Sequence, residues 1–343
     1  VGGRHLNPGR PTFTSSGNSA TCNDGRYGLD YWKSGFGGDN RWLAGAPAWC
    51  AVDLGATGAT SVLVALSDEN AGPDFLGSPG FVDYVVEVSP NSTDGRDGSW
   101  TRAVAVTGNA YLYREHRLAF AGQRWVRLTV AAPGAVSLDE LDVWDVSTRP
   151  ADALVWVGDS ITARCSARAA GYGAFPSLQA DVLAARAGHA VYQVGAGTRS
   201  VGTAWAVAGT PSLIARYLEL LPDVTYWGIG LGTNDSGAGV SDAAFEANLR
   251  ALVEAVLAAG HVPLLARIPY TADPSYAGAT VRLNAVVDAV TARYRLPPGP
   301  DLYAVFQQHA GDYYDVGGDQ IHPNKVGCTA WQQAWAETLA PLL

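Results

Sequence analysis

Three short polar segments carry side chains whose types and spacing suit acyl transfer. The first, Gly158-Asp159-Ser160, follows the apolar run Ala153-Leu-Val-Trp-Val157. A serine at a tight strand-to-helix turn exposes its hydroxyl, and the start of the helix favours negative charge beside it. The second, Gly232-Thr233-Asn234-Asp235, follows the run Val224-Thr-Tyr-Trp-Gly-Ile229 and offers the Asn234 amide as a neutral donor to an oxyanion. The third, Asp319-Gln320-Ile321-His322, puts a carboxylate three residues before an imidazole. That spacing lets Asp319 fix the His322 tautomer while the other ring nitrogen faces a serine. Taken singly, each segment also reads as an ordinary turn or helix cap.

The elements around these segments are those of a parallel sheet. Beyond about residue 150, nearly continuous apolar runs alternate with helical stretches, as strands covered on both faces require. One helix is predicted behind Ser241 as N-cap, with Phe245, Leu249, Leu252, Val253 and Val256 on one stripe and a stop at Gly260. In such sheets reactive groups collect at the carboxyl ends of strands, where the Ser160 and Asn234 segments fall, while Asp319 and His322 lie in a loop before the final helix.

In the order Ser, Asn, Asp-His, these blocks resemble the SGNH hydrolases, the broad family of GDSL esterases and lipases. The resemblance runs from about residue 152 to 343 and includes Gly195-Ala196-Gly197 after the second strand. It implies an SGNH-type α/β fold with a parallel five-stranded sheet flanked by helices. It also implies that Ser160 is the nucleophile, His322 the general base and acid, and Asp319 its orienter. The oxyanion hole is then the Ser160 N–H, Asn234 and a glycine N–H, with Gly197 the better fit and Gly195 the alternative.

The first part of the chain reads differently. Short, often alternating apolar stretches such as Asp83-Tyr-Val-Val-Glu-Val88 and Trp125-Val-Arg-Leu-Thr-Val130, separated by Gly, Pro, Asn and Asp clusters, predict an all-β sandwich or jelly roll over residues 1–147, ahead of the hydrolase domain that the resemblance implies over 152–343. This part resembles discoidin-like, galactose-binding-like domains. The resemblance implies a structural Ca²⁺ with Asp24 and Glu140 among its oxygen ligands; the alternative reading makes Asp24 a turn residue and Glu140 a solvated strand residue. Trp32, Trp42, Tyr111 and Tyr113 are candidates for stacking on sugar rings, or else for packing. A sandwich ahead of a hydrolase of this kind resembles the layout of carbohydrate esterase family 2, some members of which lack the triad carboxylate that Asp319 supplies here.

Composition narrows the partners. Over 343 residues, 48% are hydrophobic and 16% charged, which excludes a disordered chain. The net charge is −9, and only two of the 23 basic residues are lysines, so no basic stripe exists for nucleic acid. No apolar run approaches the roughly 20 residues of a membrane span. The chain contains no methionine, and a removed leader, hence secretion, is expected. Four cysteines divide evenly between the two parts, favouring Cys22–Cys50 and Cys165–Cys328 among three possible connectivities. The expected function is a secreted serine esterase that removes acetyl or other short acyl groups from acetylated poly- or oligosaccharides without a catalytic cofactor. The alternatives are a lipase, arylesterase or thioesterase, and a carbohydrate-binding protein with a degenerate hydrolase domain.

Overall fold

The computed structural model describes residues 4–23, 42–68, 79–148, 152–166, 191–194 and 212–342, except positions 112, 133, 223 and 316. These form two units, divided between the strand that ends at Asp145 and the one that begins at Asp152.

The first unit holds β1 (Arg4–His5), β2 (Thr12–Thr14), β3 (Trp42–Gly45), β4 (Ala48–Asp53), β5 (Ser61–Ser67), β6 (Asp83–Ser89), β7 (Thr101–Val106), β8 (Tyr113–Ala119), β9 (Trp125–Ala132), β10 (Ala135–Leu138) and β11 (Glu140–Asp145). They make an antiparallel four-stranded sheet, β1-β11-β5-β8, an antiparallel five-stranded sheet, β2-β4-β9-β6-β7, and a β3–β10 ribbon. Alternation along β9 shows why the sheets pack. Val126, Leu128 and Val130 are buried in the core with Val52, Val64, Val86 and Val143, while Arg127 and Thr129 point the other way. Those two outward side chains converge on the Glu87 carboxylate, each at 2.9 Å. Trp42 is fully buried and its Nε1 donates to the Ser16 carbonyl at 2.8 Å, so it is a core residue and not a sugar platform. Tyr111 is half-buried; Trp32 and the Tyr113 side chain lie outside the described residues. Cys22 and Cys50 are both buried in the same core but are not bonded to each other, contrary to the even pairing expected. Burial as small apolar groups accounts for both residues without a bridge.

In the second unit, β12 (Asp152–Gly158), β13 (Val191–Val194), β14 (Tyr226–Gly230) and β15 (Val262–Leu265) form a parallel sheet of order β13-β12-β14-β15. Where five strands were expected, four are formed among the described residues, and an isolated parallel bridge from Leu265 to Pro298 stands beyond the edge. A proline donates no N–H to a ladder, which keeps that contact from growing into a strand. The helices are α1 (Ser160–Ser166), α2 (Leu213–Leu220), α3 (Thr233–Gly237), α4 (Asp242–Ala258), α5 (Pro274–Tyr294), α6 (Leu302–Gln308), α7 (Ala310–Tyr313) and α8 (Lys325–Leu339). Helix α4 has the Ser241 cap and the buried stripe read from the sequence. Trp156 on β12 packs against Trp331 and Trp335 of α8, with ring centroids about 6 Å apart, and a disulfide joins Cys165 of α1 to Cys328 of α8. Among the described residues no helix is long and apolar enough to cross a membrane.

Candidate active site

Strands β12 and β14 are neighbours in register, with Gly158 opposite Gly230, so the turns that follow them open at one edge of the sheet. Ser160 is the first residue of α1, immediately beyond the first of these turns. Its Oγ lies 2.7 Å from His322 Nε2, although 162 residues separate the two in sequence. His322 Nδ1 lies 2.5 Å from Asp319 Oδ2. A carboxylate only accepts, so Nδ1 carries the proton and Nε2 is left as the acceptor for the serine hydroxyl. The three side chains therefore form one continuous hydrogen-bonded chain.

Local structure holds the histidine in place. Asp319 Oδ1 accepts from the backbone N–H of Ile321 and of His322, so the carboxylate closes the turn as well as orienting the ring. Burial raises the Asp319 pKa, but the backbone and imidazole N–H donors outweigh it and hold the carboxyl below its ordinary value. Gln320 takes up φ +58°, its carbonyl accepts from Ala272 N–H at 2.9 Å, and its side chain donates to the Asp315 carbonyl. Asn324 then caps α8 by accepting from Val326 and Gly327 N–H. His322 is 15% exposed and Asp319 51%, so the imidazole is sheltered while the carboxylate faces solvent.

Asn234 lies in the first turn of α3, exposed, at the end of β14. The turn depends on Gly232, whose φ is +128° and where a Cβ would lie 2.4 Å from Ile268 Cδ1. Gly195 and Gly197, the candidates for the remaining oxyanion donor, lie outside the described residues.

The residue immediately before Ser160 is a carboxylate to which the sequence reading gave no role. Asp159 is buried and its Oδ1 accepts from Ile161 N–H at 3.0 Å. Burial pushes its pKa up to about 6, against the lowering effect of the Ile161 and Thr162 N–H groups and of His322; nearby Asp235, also buried, adds to the rise. Its place between an apolar strand and the helix start was the available sequence signal.

The calcium site expected at Asp24 and Glu140 lies partly outside the described residues. Glu140 is buried on β11 and Asp24 lies outside the described set. Among the described residues, no group of three or more His, Cys, Asp or Glu side chains is placed to hold a metal ion.

A sequence model of the GDSL-like Lipase/Acylhydrolase family matches residues 156–330. Among solved structures, the chain is similar to the acetylxylan esterase Axe2 of Geobacillus stearothermophilus, at 20% identity over 55% of this chain and 94% of that one, with a TM-score of 0.43. It is also similar to a Bacillus subtilis protein at 16% identity over 97% and 99% of the two chains, TM-score 0.45. A chitosan-binding module from a Paenibacillus sp. IK-5 chitosanase/glucanase is 19% identical over 41% of this chain and 98% of that one, TM-score 0.30. No curated protein matches the chain.

Proposed function

The chain belongs to the GDSL-like lipase/acylhydrolase family, and from that premise we propose that it is a secreted serine esterase that removes acetyl or other short acyl groups from poly- or oligosaccharides. The observation that carries the chemistry is the hydrogen-bonded chain Ser160–His322–Asp319. Ser160 Oγ attacks the ester carbonyl carbon as its proton passes to His322 Nε2. The carbonyl oxygen becomes an oxyanion, which accepts hydrogen bonds from Ser160 N–H, the Asn234 amide and the N–H of Gly197 or Gly195. Collapse of the tetrahedral intermediate breaks the ester C–O bond, and His322 returns the proton to the departing sugar hydroxyl. Water, deprotonated by the same nitrogen, then releases the carboxylate and restores Ser160. Asp319 stays ionised throughout and stabilises the imidazolium.

Support for a glycan substrate comes from the layout. An all-β unit of galactose-binding-like character precedes the hydrolase unit, and the sequence carries a net charge of −9 with no run of basic residues for a polyanion. We assign the first unit a structural Ca²⁺ held by Asp24 and Glu140 that takes no part in the chemistry. Addition of a chelator is expected to lower the melting temperature of that unit and to leave kcat on a small aryl ester unchanged; an unchanged melting temperature removes the metal.

The substrate test is a series of aryl esters with acyl chains from two to eight or more carbons, together with acetylated xylan, mannan and pectin. Acetyl esters are expected to be cleaved fastest and at least one glycan to release acetate. A profile that rises toward long chains, with no acetate from any glycan, establishes the lipase reading instead.

A further inference from the structure

Thr162 makes a contact that the mechanism above leaves unused. It lies two residues beyond Ser160 in α1, is buried at 2% exposure, and its Oγ1 donates to the Gly230 carbonyl at 3.3 Å. A helical threonine ordinarily returns its hydroxyl to the carbonyl three or four residues back, which here would include Gly158. This one reaches to the end of the neighbouring strand.

The surroundings are built to admit it. Gly158 and Gly230 are register partners at the carboxyl ends of β12 and β14. A Cβ on Gly158 would lie 2.0 Å from Thr162 Oγ1, and one on Gly230 3.0 Å from the same oxygen. The hydroxyl thus occupies the space into which side chains at both positions would project. Asn234 follows Gly230 by four residues, through the Gly232 turn that Ile268 packs against. One hydrogen bond therefore ties the helix that begins with the nucleophile to the strand that launches the amide donor.

We propose that Thr162 is a positioning residue whose hydroxyl sets the spacing between Ser160 and the Asn234 amide. The inference rests on the reading of Ser160 as nucleophile and Asn234 as oxyanion donor. An oxyanion donor stabilises the transition state only when it lies about 2.7–3.1 Å from the developing charge. A displacement of about 1 Å costs on the order of 100-fold in rate. A tie at the base of both turns controls that distance without touching substrate.

The experiment is a double-mutant cycle on the full chain, read as kcat and KM on 4-nitrophenyl acetate. Thr162→Val keeps the β-branch and nearly the volume but loses the hydroxyl; it is expected to lower kcat roughly 10- to 100-fold with KM little changed. Thr162→Ser keeps the hydroxyl and is expected to retain kcat within about twofold. In an Asn234→Ala background the loss from Thr162→Val is expected to shrink to about twofold or less, because the donor it positions is gone. Full kcat in Thr162→Val overturns the proposal, as does an equal loss in Thr162→Ser, which would make the methyl group the important part. An undiminished loss in the Asn234→Ala background overturns it too. Should Thr162→Val fail to fold, Thr162→Ala in the same two backgrounds reads the same coupling. Failure of the underlying mechanism is seen separately, as activity that survives Ser160→Ala.

Discussion

Both units bury polar side chains, and they put them to different uses. In the sandwich, Tyr84 on β6 and His116 on β8 belong to different sheets, and the tyrosine hydroxyl meets the ring Nε2 at 2.7 Å across the core. Burial, helped by Arg114, holds His116 down to about 4, so the ring is a neutral staple at ordinary pH. In the α/β unit Ser160 lies at a strand end and His322 and Asp319 in the turn before α8, and the three form a relay that reaches solvent at the carboxylate. Closing a pair inside a core leaves nothing for a substrate to engage. Placing the same kinds of group at the open edge of a parallel sheet leaves a hydroxyl ready to react.

The largest effects test whether the chemistry belongs to the α/β unit alone. Ser160→Ala deletes the attacking oxygen and is expected to lower kcat at least about 10⁴-fold, and His322→Ala nearly as much, with the circular dichroism spectrum of both unchanged. His116→Ala in the sandwich is expected to leave kcat on 4-nitrophenyl acetate unchanged. Ester hydrolysis persisting in purified Ser160→Ala would falsify the assignment of the nucleophile. Asp319→Asn comes next. The amide keeps an oxygen for the two backbone N–H groups, but it no longer enforces the Nδ1–H tautomer, and kcat is expected to fall by up to about 10⁴-fold. Asn234→Ala removes one donor and is expected to cost about 100- to 1000-fold.

What the sequence disclosed follows the same division. Ser160, Asn234, Asp319 and His322 were legible because each belongs to a short segment whose spacing implies a role, and apolar runs placed Ser160 and Asn234 at strand ends. The Asp319–His322 pair is local, and the structure keeps it at hydrogen-bonding distance. Contacts set by register were not legible: nothing in the sequence joins Thr162 to Gly230, 68 residues on, until β12 and β14 lie side by side. For Trp42 the sequence left sugar stacking and packing both open, because a turn-rich neighbourhood hides which it is; the β3–β10 ribbon carries it into the core. Cys22 and Cys50 were paired by counting, and an even count does not bring two sulfurs together.

The cysteines sharpen the comparison next. Cys165–Cys328 closes a span of 163 residues and ties α1, which starts at Ser160, to α8, which starts three residues after His322. Gln332 Nε2 adds a buried bond to the Cys165 carbonyl at 2.8 Å. Reduction under non-denaturing conditions is expected to destabilise the α/β unit by roughly 2–5 kcal/mol. The sandwich, whose two cysteines are not bonded to each other, is expected to melt at an unchanged temperature. Calorimetry with and without reductant checks both; an equal shift in both transitions breaks the distinction.

The smallest effect separates the units by the sign of their pH dependence. His116 titrates near 4 in the folded sandwich and near 6.5 in the unfolded chain. Between those values the unfolded state holds the extra proton, so the sandwich loses stability as pH falls from about 6.5 to about 4. Asp159 is the reverse case. Its folded value of about 6 lies above the ordinary 3.8, so here the folded state holds the extra proton, and the α/β unit loses stability as pH rises from about 4 to about 6. The buried charge then costs up to about 2–3 kcal/mol at pH 7. Asp159→Asn keeps an oxygen for the Ile161 N–H but never ionises. At pH 7–8 it is expected to raise the melting temperature of the α/β unit by several degrees and to flatten that unit's decline between pH 4 and 6, while the sandwich transition keeps its rise over the same range. Melting curves collected from pH 4 to 8 on both proteins decide the matter. If the decline persists in Asp159→Asn, the buried charge that governs this unit lies elsewhere, and Asp235, buried close by, is the next carboxylate to replace.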